Sequence, residues 1–325
     1  MYAPRLLLLW LLALAGLLFA PSAWAQSCTI GNNNADFGQV GSVAVFDTDQ
    51  RASGSASIRC VGLNIAWGTS NTITGTMHSN NNFQLRSAAG GPSIPYALYA
   101  NSDYATGLFQ QDVPNSSTNY GGNLIPFIGG ASGSYTLYAR TFAGANVPAG
   151  RYTDTVNVIW NARICTLGFI LCLAWSDSAS ASTVAVTLDV VNDCTMNAPN
   201  LDFGAAPLVG GFAPASQTVQ IRCTSGSAYT VGLSDGNNFN GGWRRMRQGV
   251  TASYLNYELY KSVSSSDRWG SLGAQRRNSA TADLNPSVHD GTTFQSFTYR
   301  GVVDPAQATP PAGAYTDNIV VDVQF

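Results

Sequence analysis

The chain has 325 residues, 45% hydrophobic and 11% aromatic but only 10% charged, with 33 Gly, 14 Pro and a formal net charge of -2. Lys261 and Glu258 are its one lysine and one glutamate, and the Asn, Ser, Thr and Gly that replace such residues favour turns and strands over helix interiors. That excludes a helical bundle, an α/β enzyme, a basic surface for nucleic acid and a disordered chain, leaving an all-β protein with the length of two ordinary domains.

In chain order, Arg5 and the apolar run Leu6 to Ala20 precede a small-residue exit, Ala23-Trp24-Ala25 before Gln26. This is the layout of a secretory signal peptide over 1–25, so export into an oxidising compartment is expected. Six cysteines agree: Cys28, Cys60, Cys165, Cys172, Cys194 and Cys223. Six allow fifteen pairings in principle. The similar spacings of Cys28 to Cys60 and Cys194 to Cys223, and the closeness of Cys165 to Cys172, read as three local disulfides. A metal site would need ligands that His78 and His289, far in sequence from any cysteine cluster, do not supply.

The chain then repeats itself. Cys28-Thr29-Ile30 followed by Asp36-Phe37-Gly38 recurs as Cys194-Thr195-Met196 followed by Asp202-Phe203-Gly204. Ser57-Ile58-Arg59-Cys60 recurs as Gln220-Ile221-Arg222-Cys223, and Tyr96-Ala97-Leu98-Tyr99 as Tyr257-Glu258-Leu259-Tyr260. PAGRYTDTVNVIW, from Pro148 to Trp160, matches PAGAYTDNIVVDVQF, from Pro311 to Phe325. Four anchors in one order mean one fold used twice. Val156, Val158 and Trp160 alternate with Thr155, Asn157 and Ile159, a period of two that suits a half-buried strand. Short strands between Gly, Asn, Ser and Pro turns predict two tandem immunoglobulin-like sandwiches.

These residues resemble the spore coat protein U domain, a family similar to the pilins of archaic chaperone–usher pili, with two copies as in a tip subunit. The resemblance implies pilin-type sandwiches, each lacking a last strand that a neighbour donates. Here the copies differ. After the first closing strand comes Ser182-Thr183-Val184-Ala185-Val186-Thr187-Leu188-Asp189-Val190-Val191, in which Val184, Val186, Leu188 and Val190 form one alternating apolar face. That segment is expected to complete the first sandwich from within, giving a self-complemented adhesin domain over 26–191 and a strand-accepting pilin domain over 192–325. Only Gln26 and Ser27 would precede Cys28 after cleavage, so the chain is expected to accept a strand and give none, as at a fibre tip. Implied partners are a periplasmic chaperone, an outer-membrane usher, the donor strand of the next pilin subunit, and an abiotic or host surface; no nucleic acid and no cofactor are expected. The expected location is the cell surface, reached through the periplasm.

Surface contact is assigned to apolar loops of the first copy. One is Cys165-Thr166-Leu167-Gly168-Phe169-Ile170-Leu171-Cys172, with Leu167, Phe169, Ile170 and Leu171 as contacts on a disulfide-stiffened hairpin. The other is Leu124-Ile125-Pro126-Phe127-Ile128 between paired glycines, with Ile125, Phe127 and Ile128 as contacts. Catalysis is not expected: no G-x-S-x-G elbow exists, and Asp47, Asp49, Asp154 and Asp317 read as turn residues bonded to nearby backbone. Asp47-x-Asp49 lacks the further oxygen ligands that calcium requires. The Trp243-Arg244-Arg245-Met246-Arg247 cluster reads as a solvated strand face. The alternatives are a structural pilin or spore-coat-like protein without adhesive role, and a secreted carbohydrate-binding module.

Overall fold

The computed structural model describes residues 27–32, 34–61, 65–67, 71–116, 130–169 and 171–325. The expected signal segment and the contact residues Ile125, Phe127, Ile128 and Ile170 lie outside the described residues, as does the side chain of Phe169. The first copy contains β1 (Ser27–Asn32), β2 (Ala35–Gly41), a short helix α1 (Ser42–Asp47), β3 (Arg51–Val61), β4 (Ile65–Trp67), β5 (Thr72–Ser79), β6 (Gln84–Ser87), β7 (Ile94–Tyr99), β8 (Pro114–Ser116), β9 (Gly130–Thr141), β10 (Gly150–Phe169) and β11 (Leu171–Val191). The second contains β12 (Cys194–Asn197), β13 (Ala215–Cys223), β14 (Thr230–Leu233), β15 (Arg244–Arg247), β16 (Tyr254–Tyr260), β17 (Arg277–Asn278), β18 (Gln295–Val303) and β19 (Val321–Gln324). The protein is all-β, as its turn-rich, helix-poor composition predicts.

Each copy is an immunoglobulin-like pair of layers around its own core. In the first, β1-β3-β9-β7-β6 form one layer, and β10 with β5, β11 and β2 the other; β6 also bonds to β10, curling the layers into one sheet. In the second, β12-β13-β18-β16-β15 face β17-β14-β19. The register repeats too: Cys28 lies opposite Cys60 and Cys194 opposite Cys223, each pair joined by a disulfide, while Cys165 bonds Cys172.

The cores are filled by different but compensating side chains. In the first, Tyr135 stacks on Trp160 with ring centroids 5.0 Å apart, and its hydroxyl accepts a 2.9 Å hydrogen bond from the Gly75 amide. A Cβ on Gly75 would sit 2.5 Å from the Tyr135 ring, so the tyrosine requires the glycine. In the second copy Phe297 and Val231 occupy those register positions, both buried, and Trp269 packs against Phe297. A smaller ring beside a larger aliphatic residue preserves the filled volume, which close packing demands.

Two turn or surface assignments are corrected. Asp154 lies within β10 and is buried: its carboxylate accepts from Tyr96 Oη at 2.7 Å, from Ser79 Oγ and from the Thr155 amide. A small carboxylate with several donors satisfies its oxygens in the core, which sequence alone reads as a turn. Its repeat partner Asp317 accepts from Tyr257 Oη at 2.7 Å, and burial, reinforced by the carboxylate, pushes both tyrosine pKa values up. The second correction concerns Arg244, which is fully buried, not solvated. It is ion-paired with Glu258 and donates to the carbonyls of Ser234, Leu233 and Trp269. Four of the five guanidinium donors are met by one carboxylate and three carbonyls, which makes such burial tolerable. Asp47 and Asp49 face different partners, Arg222 and Arg140, rather than a shared cation.

Candidate functional site

The closing strand allows the two copies to be compared residue by residue. In the first copy β10 is covered along one edge by β11, with Val156 opposite Val184, Asp154 opposite Val186 and Tyr152 opposite Leu188. On its other edge β11 runs parallel to β2, with Val186 opposite Ala35 and Thr187 opposite Asp36. β11 is thus wedged between the closing strand and the Asp-Phe-Gly segment. Val184, Val186, Leu188 and Val190 are all buried in the core beneath it. Burial of four such side chains contributes roughly 6 to 12 kcal/mol before ordering costs.

The second copy lacks this wedge among the described residues. β19 bonds to β14 on one edge, with Val321 opposite Leu233, and no described strand lies along its other edge. The repeat of β2, residues 201–207, is not a strand at all, because the neighbour that would bond it is missing. Exposure follows. Tyr152, Val156, Val158 and Trp160 are buried in the first copy, whereas the matching Tyr315, Ile319, Val321 and Val323 are only partly buried. The result is an apolar cleft bounded by two unpaired backbone edges, an arrangement open to strand addition.

The second site is the far end of the β10–β11 hairpin. Its two strands run 20 and 21 residues, with β5 and then β4 beside β10 as far as Phe169, and the Cys165–Cys172 disulfide ties them near the tip. From Leu171 to Ala181 one face of β11 is exposed and the other half-buried. Leu171 and Leu173 on the exposed face are 75% and 77% exposed, with Trp175 beside them and Leu167 across the strand pair. Arg163 stacks over Trp175 at 5.0 Å. The structure thus leaves the predicted Leu167, opposite Ala174 in register, and Leu171 both exposed near the tip, and adds Leu173 and Trp175 on the face of Leu171. The alternation of Leu171, Leu173 and Trp175 about Cys172 was the available signal for these two. Below the tip, a shallow groove of about 450 Å³ is lined by Thr72, Thr74, Asn161, Arg163 and Asp177.

The copies meet through α1 and the segment between β9 and β10. Ser42 Oγ and Thr224 Oγ1 lie 2.6 Å apart in a buried contact, Asn146 Nδ2 donates to the Asp290 carbonyl at 2.8 Å, and Arg222 pairs with Asp47 at 2.8 Å. No group of three or more His, Cys, Asp or Glu side chains able to hold a metal exists among the described residues. No described helix is long and apolar enough to cross a membrane.

A tandem pair of pilin-type sandwiches, one of them complete and one with an unpaired cleft, is the class of protein this geometry defines. The Spore Coat Protein U domain matches residues 15–159 and 180–322, and the chain belongs to that family. No curated protein matches the sequence. Among solved structures, a chain of the CsuC–CsuE chaperone–tip adhesion subunit pre-assembly complex, from archaic chaperone–usher Csu pili of Acinetobacter baumannii, is similar with a TM-score of 0.59 at 20% identity, over 92% of this chain and 100% of that one. The CupB6 tip adhesin from Pseudomonas aeruginosa aligns over 92% of this chain and 94% of its own, with a TM-score of 0.36 and 11% identity.

Proposed function

We propose that this chain is the tip adhesin of a chaperone–usher pilus, exported under a signal peptide over 1–25 and displayed at the cell surface. The first domain, 26–191, is self-complemented and adhesive; the second, 192–325, is the pilin domain that joins the fibre by accepting a donor strand. One observation carries this reading: β11 fills the cleft of the first copy, and the same cleft in the second has no strand among the described residues. The similarity to a chain of a chaperone–tip adhesion subunit complex supports it. The partners are a periplasmic chaperone that covers the cleft, an outer-membrane usher, and the donor strand of the next pilin subunit. The chemistry is attachment, with no catalytic step.

The adhesive contact is the apolar hairpin tip, where a disulfide and continuous strand pairing limit the entropy lost on binding. Abiotic or host surfaces of apolar character are its target, and attachment leads to biofilm formation. Changing Leu167, Leu171, Leu173 and Trp175 together to Ser is expected to abolish attachment to hydrophobic plastic while pili remain assembled. Unchanged attachment would return the protein to a structural role. A donor peptide added during refolding of the full chain is expected to raise the unfolding midpoint of the second domain alone, and equal midpoints with and without it would defeat the acceptor assignment. A second reading, carbohydrate recognition, is favoured by the polar groove beside Trp175. Competition of attachment by soluble sugars separates the two.

A further inference from the structure

The first copy shows what an occupant of the cleft looks like when seated, and one of its contacts is polar. Asp36 Oδ1 accepts two hydrogen bonds: one at 3.0 Å from the amide of Gly38, and one at 2.7 Å from the hydroxyl of Thr187 on β11. Thr187 is itself buried, between the anchors Val186 and Leu188. These two donors, the amide first and the hydroxyl second, hold the Asp36 carboxyl below the usual carboxylate range.

The second copy keeps the receiving half of this contact. Gly204 has φ +73°, against +72° at Gly38, a left-handed turn suited to glycine. Asp202 Oδ1 accepts from the Gly204 amide at 2.8 Å, so the carboxylate is held in the same turn. No hydroxyl reaches Asp202 among the described residues, because no strand lies where β11 would be. The register of β11 carries over by the repeat: its anchors would fall opposite Ile319, Asp317 and Tyr315, and its Thr187 position opposite Thr316 and beside Asp202.

We propose that Asp202 reads the donor strand: the second domain selects a neighbouring subunit's segment carrying Ser or Thr between its second and third apolar anchors. This rests on the strand-acceptor reading above and names the chemistry of its partner. The occupant is an extended segment of the pattern apolar-x-apolar-hydroxyl-apolar-x-apolar, antiparallel to residues 313–319, which lead into β19, and parallel to residues 201–207. The anchors supply the affinity, and the hydroxyl fixes register, since a slip by one residue exchanges the hydroxyl for an apolar side chain and reverses the face of every anchor. At the other end of the strand the two copies diverge. Ser182 on β11 accepts from Trp160 Nε1 at 2.8 Å, and Val323 replaces that tryptophan in the second copy, so no acceptor is needed in the donor there.

The test is a competition on the full chain with disulfides intact. The protein is unfolded in denaturant and refolded in an equimolar excess of two peptides: the segment 182–191 of its own β11, and the same peptide with Thr187→Val. The ratio retained is read by mass spectrometry. With the unaltered chain, a ratio of about ten in favour of the threonine peptide is expected, the order of one charge-assisted hydrogen bond at a solvent-accessible edge. With Asp202→Ala the ratio is expected to fall to about one, while Asp36→Ala leaves it near ten. Asp202→Asn, which still accepts from a hydroxyl, is expected to fall between. A ratio near one with the unaltered chain overturns the selection but leaves strand acceptance standing, whereas retention of neither peptide overturns both. A dimer that neither peptide dissociates would assign the cleft to β11 of a second copy of this chain and so overturn the donor assignment.

Discussion

The PAG-x-YTD closing strand runs in the same register in both copies, yet the same face of it is buried in one and half-open in the other. Trp160 and Val158 are closed over by β11; Val323 and Val321 have only β14 on one side. The difference lies outside the strand. A strand's inward face is buried when its neighbours are present, so an alternating sequence records which side chains belong inside without recording who supplies the cover. The copies also divide their core chemistry. Phe83 and Ala97 of the first copy stand, in strand register, where the second has Arg244 and Glu258. The first copy is closed by apolar packing, and the second carries a buried ionic pair whose arginine donates to the end of β14.

The comparison can be broken in stages. The largest effect is expected from Glu258→Leu, which leaves Arg244 buried without its carboxylate; a loss of about 3 to 5 kcal/mol should appear in the second unfolding transition only. Loss from the first transition would mean the copies do not unfold independently. Next, Leu188→Ala should cost the first copy about 2 to 5 kcal/mol in denaturant melts. Val321→Ala in the half-open face should cost about 1 kcal/mol until a donor peptide is bound, and more thereafter. Equal costs in the absence of peptide would show that the second cleft is already filled. Ser182→Ala leaves the indole N–H of Trp160 without its acceptor, and about 1 to 3 kcal/mol should be lost from the first copy, with Ser182→Thr largely restoring it.

The smallest effect is one of pH. His289 is buried in the second copy, its Nδ1 accepting from the Gly291 amide and its Nε2 without a partner among the described residues. Burial lowers its pKa below 6.5, and the nearby Arg222 charge adds to this. The unfolded chain therefore takes up a proton that the folded one refuses. Stability of the second copy is complete above about pH 6.5 and should decline as pH falls below it. Melts at pH 7.5 and 5.5 check this, and His289→Gln should flatten the difference.

Much of the fold was legible in the residues. Matched cysteines, the two Asp-Phe-Gly turns and the repeated closing strand are local patterns, and local pattern is what repetition preserves. The middle of the long hairpin was not legible. Residues 176–182, Ser-Asp-Ser-Ala-Ser-Ala-Ser, carry no apolar alternation, yet they are strand because β10 bonds to them throughout. Ser178 is small for a tertiary reason: its Oγ lies 3.1 Å from Cys28 Sγ, against the Cys28–Cys60 disulfide. Of the exposed apolar residues near the hairpin tip, Leu167 and Leu171 were legible because a cysteine pair frames them, while Leu173 and Trp175 fall outside the frame and needed the strand geometry. Arg244 was misread because a run of arginines predicts solvent unless the one glutamate that neutralises it, fourteen residues on, is known to be its neighbour.

By itself the amino-acid sequence determined the all-β class, the duplication and which faces of the strands are apolar, because these depend on composition and on a period of two along the chain. Tertiary structure alone decided that β11 lies parallel to β2 and that the hydroxyl of Thr187 reaches Asp36. Those are facts about strands distant in sequence bonding edge to edge, and hydrogen bonding between backbones leaves no mark on the identity of the residues that make it.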